Sequence, residues 1–137
     1  MTKKYIKTAF AYGVFGLFIG AFYREFTKFI GFTGRTNLSL AHGHSLVLGF
    51  IIFLILALFA KNFDSSDIKK EKRFYITYNI GLSLSLLSLV ARGFYQIYDL
   101  NQKALDASIS GFAGLGHIIL ALAFYFLYSF LKSLVKE

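Results

Sequence analysis

Four uninterrupted apolar stretches decide what this chain can become. They lie at about residues 8–30, 38–60, 74–98 and 108–131, and each is close to the ~20 residues a helix needs to cross the hydrocarbon of a bilayer. Lipid offers no water to the backbone, so such a segment must close its hydrogen bonds internally as a helix. The predicted fold is all-α: an integral membrane four-helix up-down bundle, one domain over residues 1–137. Short connections make successive helices antiparallel neighbours. Hydrophobic residues make up 56% of the chain, against the ~45–50% usual in soluble domains.

Lys and Arg set the expected orientation. Lys3, Lys4 and Lys7, the loop residues Lys61, Lys69, Lys70, Lys72 and Arg73, and Lys132 and Lys136 fall on one side. Arg24, Lys28, Arg35, Arg92 and Lys103 fall on the other. The richer side is cytoplasmic by the positive-inside rule, so the N- and C-termini are expected in the cytoplasm. The net charge of +8 then reflects topology and contact with the anionic lipid of the bilayer, and no nucleic-acid partner is expected.

The chain has no cysteine. That excludes disulfides, iron–sulfur clusters, thiolate-ligated haem and covalent c-type haem. Ligands for a metal must come from His, Met, Tyr or carboxylates. All three histidines lie in apolar runs: His42 and His44 in AHGHSLVLGF, His117 in GLGHIILAL. An ionisable side chain inside a membrane span is costly and marks a functional site by default. Counted from the outer side, at ~1.5 Å per residue, the three reach similar depths in the outer half of the membrane.

Small residues mark the expected helix seams. The first helix offers Ala9, Gly13, Gly16, Gly20 and Thr27, and the second His42, Ser45 and Gly49. The third offers Gly81, Ser85, Ser88, Arg92, Tyr95 and Asp99, and the fourth Ala107, Ser110, Gly114, His117, Ala121 and Tyr128. This reading puts His42, Arg92 and His117 on seams, with Gly49 and Gly114 leaving room for a flat ring. His44 lies about 200° from His42 around the helix. Its face carries Leu40, Leu48, Ile51 and Ile55, a surface for lipid or for a symmetry mate in a homodimer; the alternative is that His44 simply hydrogen-bonds a backbone or Ser group near the start of its helix.

Arg92 needs an anion, because a lone guanidinium at its depth costs several kcal/mol. Glu25, Asp106 or a haem propionate would each serve, and a planar fork suits any carboxylate. Arg24 and Arg35 stand at the same level as further propionate partners. Three ligand arrangements follow. His42 and His117 hold one b-type haem (haem b) between the second and fourth helices. Alternatively, His42, His44 and His117, with Asp106 or Glu25, hold Cu or Zn. Paired ligands on one helix usually sit at i and i+4 rather than i and i+2, which speaks against a mononuclear site using both His42 and His44. In the third, the histidines form a proton relay in a transporter or accessory protein, for which the chain shows no internal repeat.

The residues YREFT (Tyr23–Thr27), LSLAHGHSLVLGF (Leu38–Phe50), YNIGL (Tyr78–Leu82), ARG (Ala91–Gly93) and ALDASISGFAGLGHIIL (Ala104–Leu120) resemble a family of small bacterial four-helix membrane proteins known only as a domain of unknown function. The resemblance covers nearly the whole chain. It implies a multi-pass protein of the bacterial cytoplasmic (inner) membrane and supplies no activity. The His-x-His of His42 and His44 also resembles the haem–copper oxidase superfamily and the haem-and-copper membrane proteins of the nitric-oxide response. In the oxidases two such histidines ligate two haems on opposite faces of one helix. The likeness stops there: this chain has four helices and lacks both the further copper ligands and the His–Tyr cross-link motif. Haem ligation is what the resemblance implies, without oxygen reduction.

The function expected from sequence is thus a haem-binding integral membrane protein, acting in electron transfer with a redox partner, in gas sensing or in haem handling. The alternative is a non-haem Cu/Zn-binding or proton-coupled transport or accessory protein. Hydrolase chemistry is not indicated, since the chain has no G-x-S-x-G, H-E-x-x-H or P-loop.

Overall fold

A computed structural model describes residues 1–63 and 67–134. Lys136, used above for orientation, lies outside the described residues. Among the described residues there are four helices, each long and apolar enough to cross a membrane: α1 (Thr2–Phe29), α2 (Leu38–Asn62), α3 (Ile68–Ile97) and α4 (Lys103–Lys132). Among the described residues there is no strand.

The helices outrun the apolar stretches at their polar ends. α1 begins at Thr2 because its first turns are tied down: Tyr5 is fully buried and donates to Glu71 over 2.9 Å. α3 begins at Ile68 because Asp67 caps it, accepting from the Lys70 backbone N–H over 3.0 Å. A carboxylate there satisfies an orphan donor and complements the helix dipole. The Lys70 amide, helped by its ammonium, holds the Asp67 carboxyl below the usual carboxylate range.

α2 packs against α1 on one side and α3 on the other, while the backbone of α4 approaches α3 alone. The four helices therefore form an open arrangement rather than a closed ring. One apolar core, built on Tyr5, Phe53, Phe74, Tyr78, Leu82 and Phe130, links all four. Glycine permits the closest crossings. A Cβ on Gly116 would lie 2.7 Å from Ser85 Oγ, one on Gly81 2.9 Å from the Leu120 nitrogen, and one on Gly93 2.5 Å from Leu38.

α2 is not uniformly α-helical. Residues Ser45–Ile51 form a π-helical segment between α-helical turns. Two contacts with α1 sit within it. Ser45 Oγ donates to the Tyr12 carbonyl over 2.7 Å, and Gly49 lies so close to Tyr12 that a Cβ would meet the ring at 2.4 Å. Ser45 and Gly49, four residues apart, share a face at 3.6 residues per turn as well, and the wider π turn rotates the faces of the residues beyond them.

The expected seams of α1 and α3 bury Ala9, Gly13 and Gly16, and Gly81, Ser85 and Ser88. The expected seam of α4 is corrected. The residues α4 buries are Ile109, Gly116, Leu120, Ala123 and Phe130. The stripe through Ser110, Gly114, His117 and Ala121 is exposed, turned by about 100° per residue from the buried line at Gly116. Gly116 rather than Gly114 is needed where Ser85 approaches, and a Cβ on Gly114 would meet nothing within 4 Å.

Candidate functional site

The structure separates the three histidines by environment. His42 turns toward α1, where a Cβ placed on Gly20 would lie 3.4 Å from the His42 Cβ. Its Nδ1 is buried without a hydrogen-bond partner. The expectation that His42 faces α4 across a seam is therefore corrected: α2 presents that face to Gly16 and Gly20 of α1, where an added Cβ would press on Leu46 at 3.0 Å from Gly16 and meet His42 at ordinary contact distance from Gly20.

His44 and His117 point away from such contacts. The Nδ1 of His44 lies 2.9 Å from the Leu40 carbonyl, and that of His117 lies 2.7 Å from the Ala113 carbonyl. A carbonyl only accepts, so each Nδ1 carries the proton and donates it four residues back. Each Nε2 then keeps its lone pair and is carried off the helix surface. Such a bond fixes the tautomer and the ring direction of a helix histidine whether or not a ligand follows.

α2 and α4 both pack on α3 without packing on each other, which leaves a cleft between them. Phe124 follows His117 by two turns on the same face of α4. Its ring stands edge-on to Tyr78 of α3, with centroids 5.9 Å apart. Tyr78 in turn donates to the Leu48 carbonyl of α2 over 2.9 Å. The His117 face thus looks over α3 toward α2. His44 lies on the side of α2 opposite the α1-facing His42, and one turn before Leu48. Depths agree as well. Gly116 abuts Ser85, which places His117 level with Ser85. Leu38 abuts Gly93 and Leu48 is bonded to Tyr78, so His44, between them, comes level with Leu84 and Ser85. The Oγ of Ser85 is itself buried without a partner.

Small residues surround His117: Ala113, Gly114 and Ala121 lie one turn away on its face, and added Cβ atoms on Gly111 and Gly114 would meet nothing. Toward the N-terminal end of α2, a cavity of about 460 Å³ is lined by Tyr23, Arg35, Asn37, Leu40 and Gln96. Leu40 is the residue whose carbonyl holds His44, so Arg35 shares this cavity with the residue that anchors His44.

Two of the other arginines have carboxylate partners. Arg92 pairs with the Asp106 carboxylate, and its Nη2 also reaches the Asp106 carbonyl at 3.2 Å and Ser110 Oγ at 2.6 Å. Of the anions considered from sequence, Asp106 is the partner and Glu25 is not. Arg24 pairs with its neighbour Glu25 at 3.6 Å, both side chains exposed. Gly49 serves the α1–α2 contact rather than the cleft. Among the described residues no three of His, Asp and Glu gather in metal-binding geometry, so His42, His44 and His117 do not converge on one ion within the chain. Sequence reasoning missed Tyr78 and Phe124, the pair that links α2 to α4. The heptad spacing of His117 and Phe124 was the available signal.

The profile of a family described as "Protein of unknown function (DUF2871)" matches residues 2–134, and the chain belongs to that family. No curated protein and no solved structure matches it.

Proposed function

We propose that this member of an uncharacterised family is a haem-binding membrane protein, with a b-type haem in the cleft between α2 and α4 and His44 and His117 as its axial ligands. One observation carries the reading: two imidazoles on different helices, level with Ser85, each fix Nδ1–H on the carbonyl four residues earlier and free Nε2. That hydrogen bond sets the tautomer, aims the ring and raises its basicity before any ligand arrives. Ala113, Gly114 and Ala121 keep the helix surface low around His117, as a flat macrocycle requires. Arg35 supplies a cation at the outer rim for a propionate.

A haem held by two histidines carries one electron and leaves no coordination position for a gas. The reading is therefore electron transfer in the outer half of the bacterial cytoplasmic membrane, with both termini inside and a separate redox partner. The test is the absorption spectrum of the detergent-purified protein, oxidised, dithionite-reduced and exposed to carbon monoxide. Sharp reduced α and β bands unmoved by carbon monoxide are expected. A shift with carbon monoxide would leave one histidine as ligand and favour gas binding. A featureless spectrum from haem-replete cells would overturn the reading and direct attention to copper and zinc.

A further inference from the structure

Another cavity lies on the opposite side of α2, between α1 and α3, with a volume of about 610 Å³. It exists because α1 and α3 meet only through side chains, and Phe53 of α2 is buried behind two of its lining residues, Tyr12 and Tyr75. The Phe53 ring stacks on Tyr12 at 6.0 Å and meets Tyr75 edge-on at 5.9 Å. Side chains bridge the gap in rungs. Thr8 bonds the Tyr75 hydroxyl at 2.7 Å, and Tyr12 donates to Asn79 Oδ1 at 3.0 Å and lies 3.4 Å from Ser83 Oγ.

The depth of these rungs is informative. Glu71, Tyr75, Asn79 and Ser83 recur every fourth residue, so each step climbs ~6 Å from the Lys4–Glu71 pair at the helix end. Ser83 is then roughly 18 Å into the span, exposed on the groove wall. Its one side-chain contact is long. Asn79 gives one N–H to the Tyr75 carbonyl and keeps another free. Unpaired donors facing hydrocarbon are costly, and they ask for acceptors deep in the membrane. A phospholipid is built the wrong way round, since its head would stop at Lys7 and its chains would cover the polar rungs. Farther along, the wall is apolar: Ala11, Phe15, Leu86 and Leu87.

We infer that this groove binds the head ring of a lipid-soluble quinone or quinol, whose ring oxygens accept from Ser83 and Asn79 while its apolar tail runs along Leu86 and Leu87. The cavity is within the ~300–1,000 Å³ range of small-molecule sites, with the usual few polar groups on apolar walls. This inference is independent of the haem reading and stands whether or not the histidines hold a cofactor.

The chain has no tryptophan, which makes a single-reporter experiment available. Leu87→Trp places an indole on the groove wall, and Leu122→Trp places one on an exposed face of α4. Each protein, in nanodiscs, is titrated with decylubiquinone and with menadione, which quench indole fluorescence. Saturable quenching at Leu87→Trp with linear, partition-driven quenching at Leu122→Trp is expected. In the Leu87→Trp background, Ser83→Ala, which removes one donor, and Tyr12→Phe, which removes the hydroxyl that orients the Asn79 amide, should each raise the half-saturation concentration roughly 5- to 10-fold, the scale of one hydrogen bond. Ser83→Ala changes an exposed side chain and keeps the fold testable should Tyr12→Phe loosen the helices. Linear quenching at both reporters with both quinones, saturation unmoved by both substitutions, or loss of saturation on adding phosphatidylglycerol would each overturn the proposal.

Discussion

His44 and His117 are held in the same way on different helices: each donates its Nδ1 proton to the carbonyl four residues earlier, at 2.9 Å and 2.7 Å. His42, two residues from His44, makes no such bond and faces Gly20. Replacement should separate the three. His44→Ala and His117→Ala are each expected to lower haem content of the purified protein at least tenfold, while His42→Ala retains most of it. A pyridine haemochrome assay normalised to protein reads this directly. Equal loss in all three variants would mean a general packing defect, and loss in His42→Ala alone would return the ligand to the α1 face.

Two glycines in one turn of α4 should behave oppositely. A Cβ at Gly116 would press on Ser85 at 2.7 Å, whereas one at Gly114 meets open space. Gly116→Val is expected to cost about 1–3 kcal/mol through overpacking of the α3–α4 crossing. Gly114→Ala should be neutral or stabilising by up to ~1 kcal/mol, from helix propensity alone. Thermal unfolding in detergent checks both. Gly114→Leu should keep the fold and lose haem, because a long side chain then fills the surface beside His117.

The Arg92–Asp106 pair ties the C-terminal end of α3 to the N-terminal end of α4. Arg92 is mostly buried, at 18% side-chain exposure, but Asp106 is 49% exposed, so the pair is partly screened. Removing the carboxylate in Asp106→Ala is expected to cost about 1–2 kcal/mol, below the 3–5 of a fully buried pair. A double-mutant cycle with Arg92→Met should show a coupling of similar size. Haem content should fall less in Asp106→Ala than in Arg35→Ala, since Arg92 already has its partner. The opposite order would identify Arg92 as the propionate ligand.

The four spans were legible in the sequence because they rest on counting runs of apolar residues. Which histidine faces which helix was not. A stripe of Gly, Ala and Ser on α4 marks small surface on either side, and only the partner's shape shows that Gly116 packs on Ser85 while Gly114 stays open. The π-helical turn after His44 was illegible for the same reason. It answers to Tyr12, more than thirty residues away, and breaks the period used to assign faces. The polar rungs between α1 and α3 were visible in principle, as Glu71, Tyr75, Asn79 and Ser83 repeat at four. Their meaning needed Thr8 and Tyr12 opposite them.

That π-helical turn gives the last expectation. Ser45 and Gly49 both meet Tyr12, one by a hydrogen bond of 2.7 Å and one by the absence of a side chain. Ser45→Ala removes a bond of the kind worth ~0.6 kcal/mol on average between membrane helices, so the fold should persist with a small loss of stability. Gly49→Ala puts a methyl where the Tyr12 ring already stands. Tyr12 is part of the core and cannot swing away cheaply, so α1 must move or the π turn must unwind, at a cost of about 1–3 kcal/mol or more. Unwinding would rotate the rest of α2 relative to His44 and disturb Leu48, the acceptor of Tyr78. Haem affinity should therefore fall in Gly49→Ala and stay near normal in Ser45→Ala, as read by haem titration of the apoprotein. Equal affinity in both would mean that the cleft is set by α3 and α4 and does not depend on the π turn.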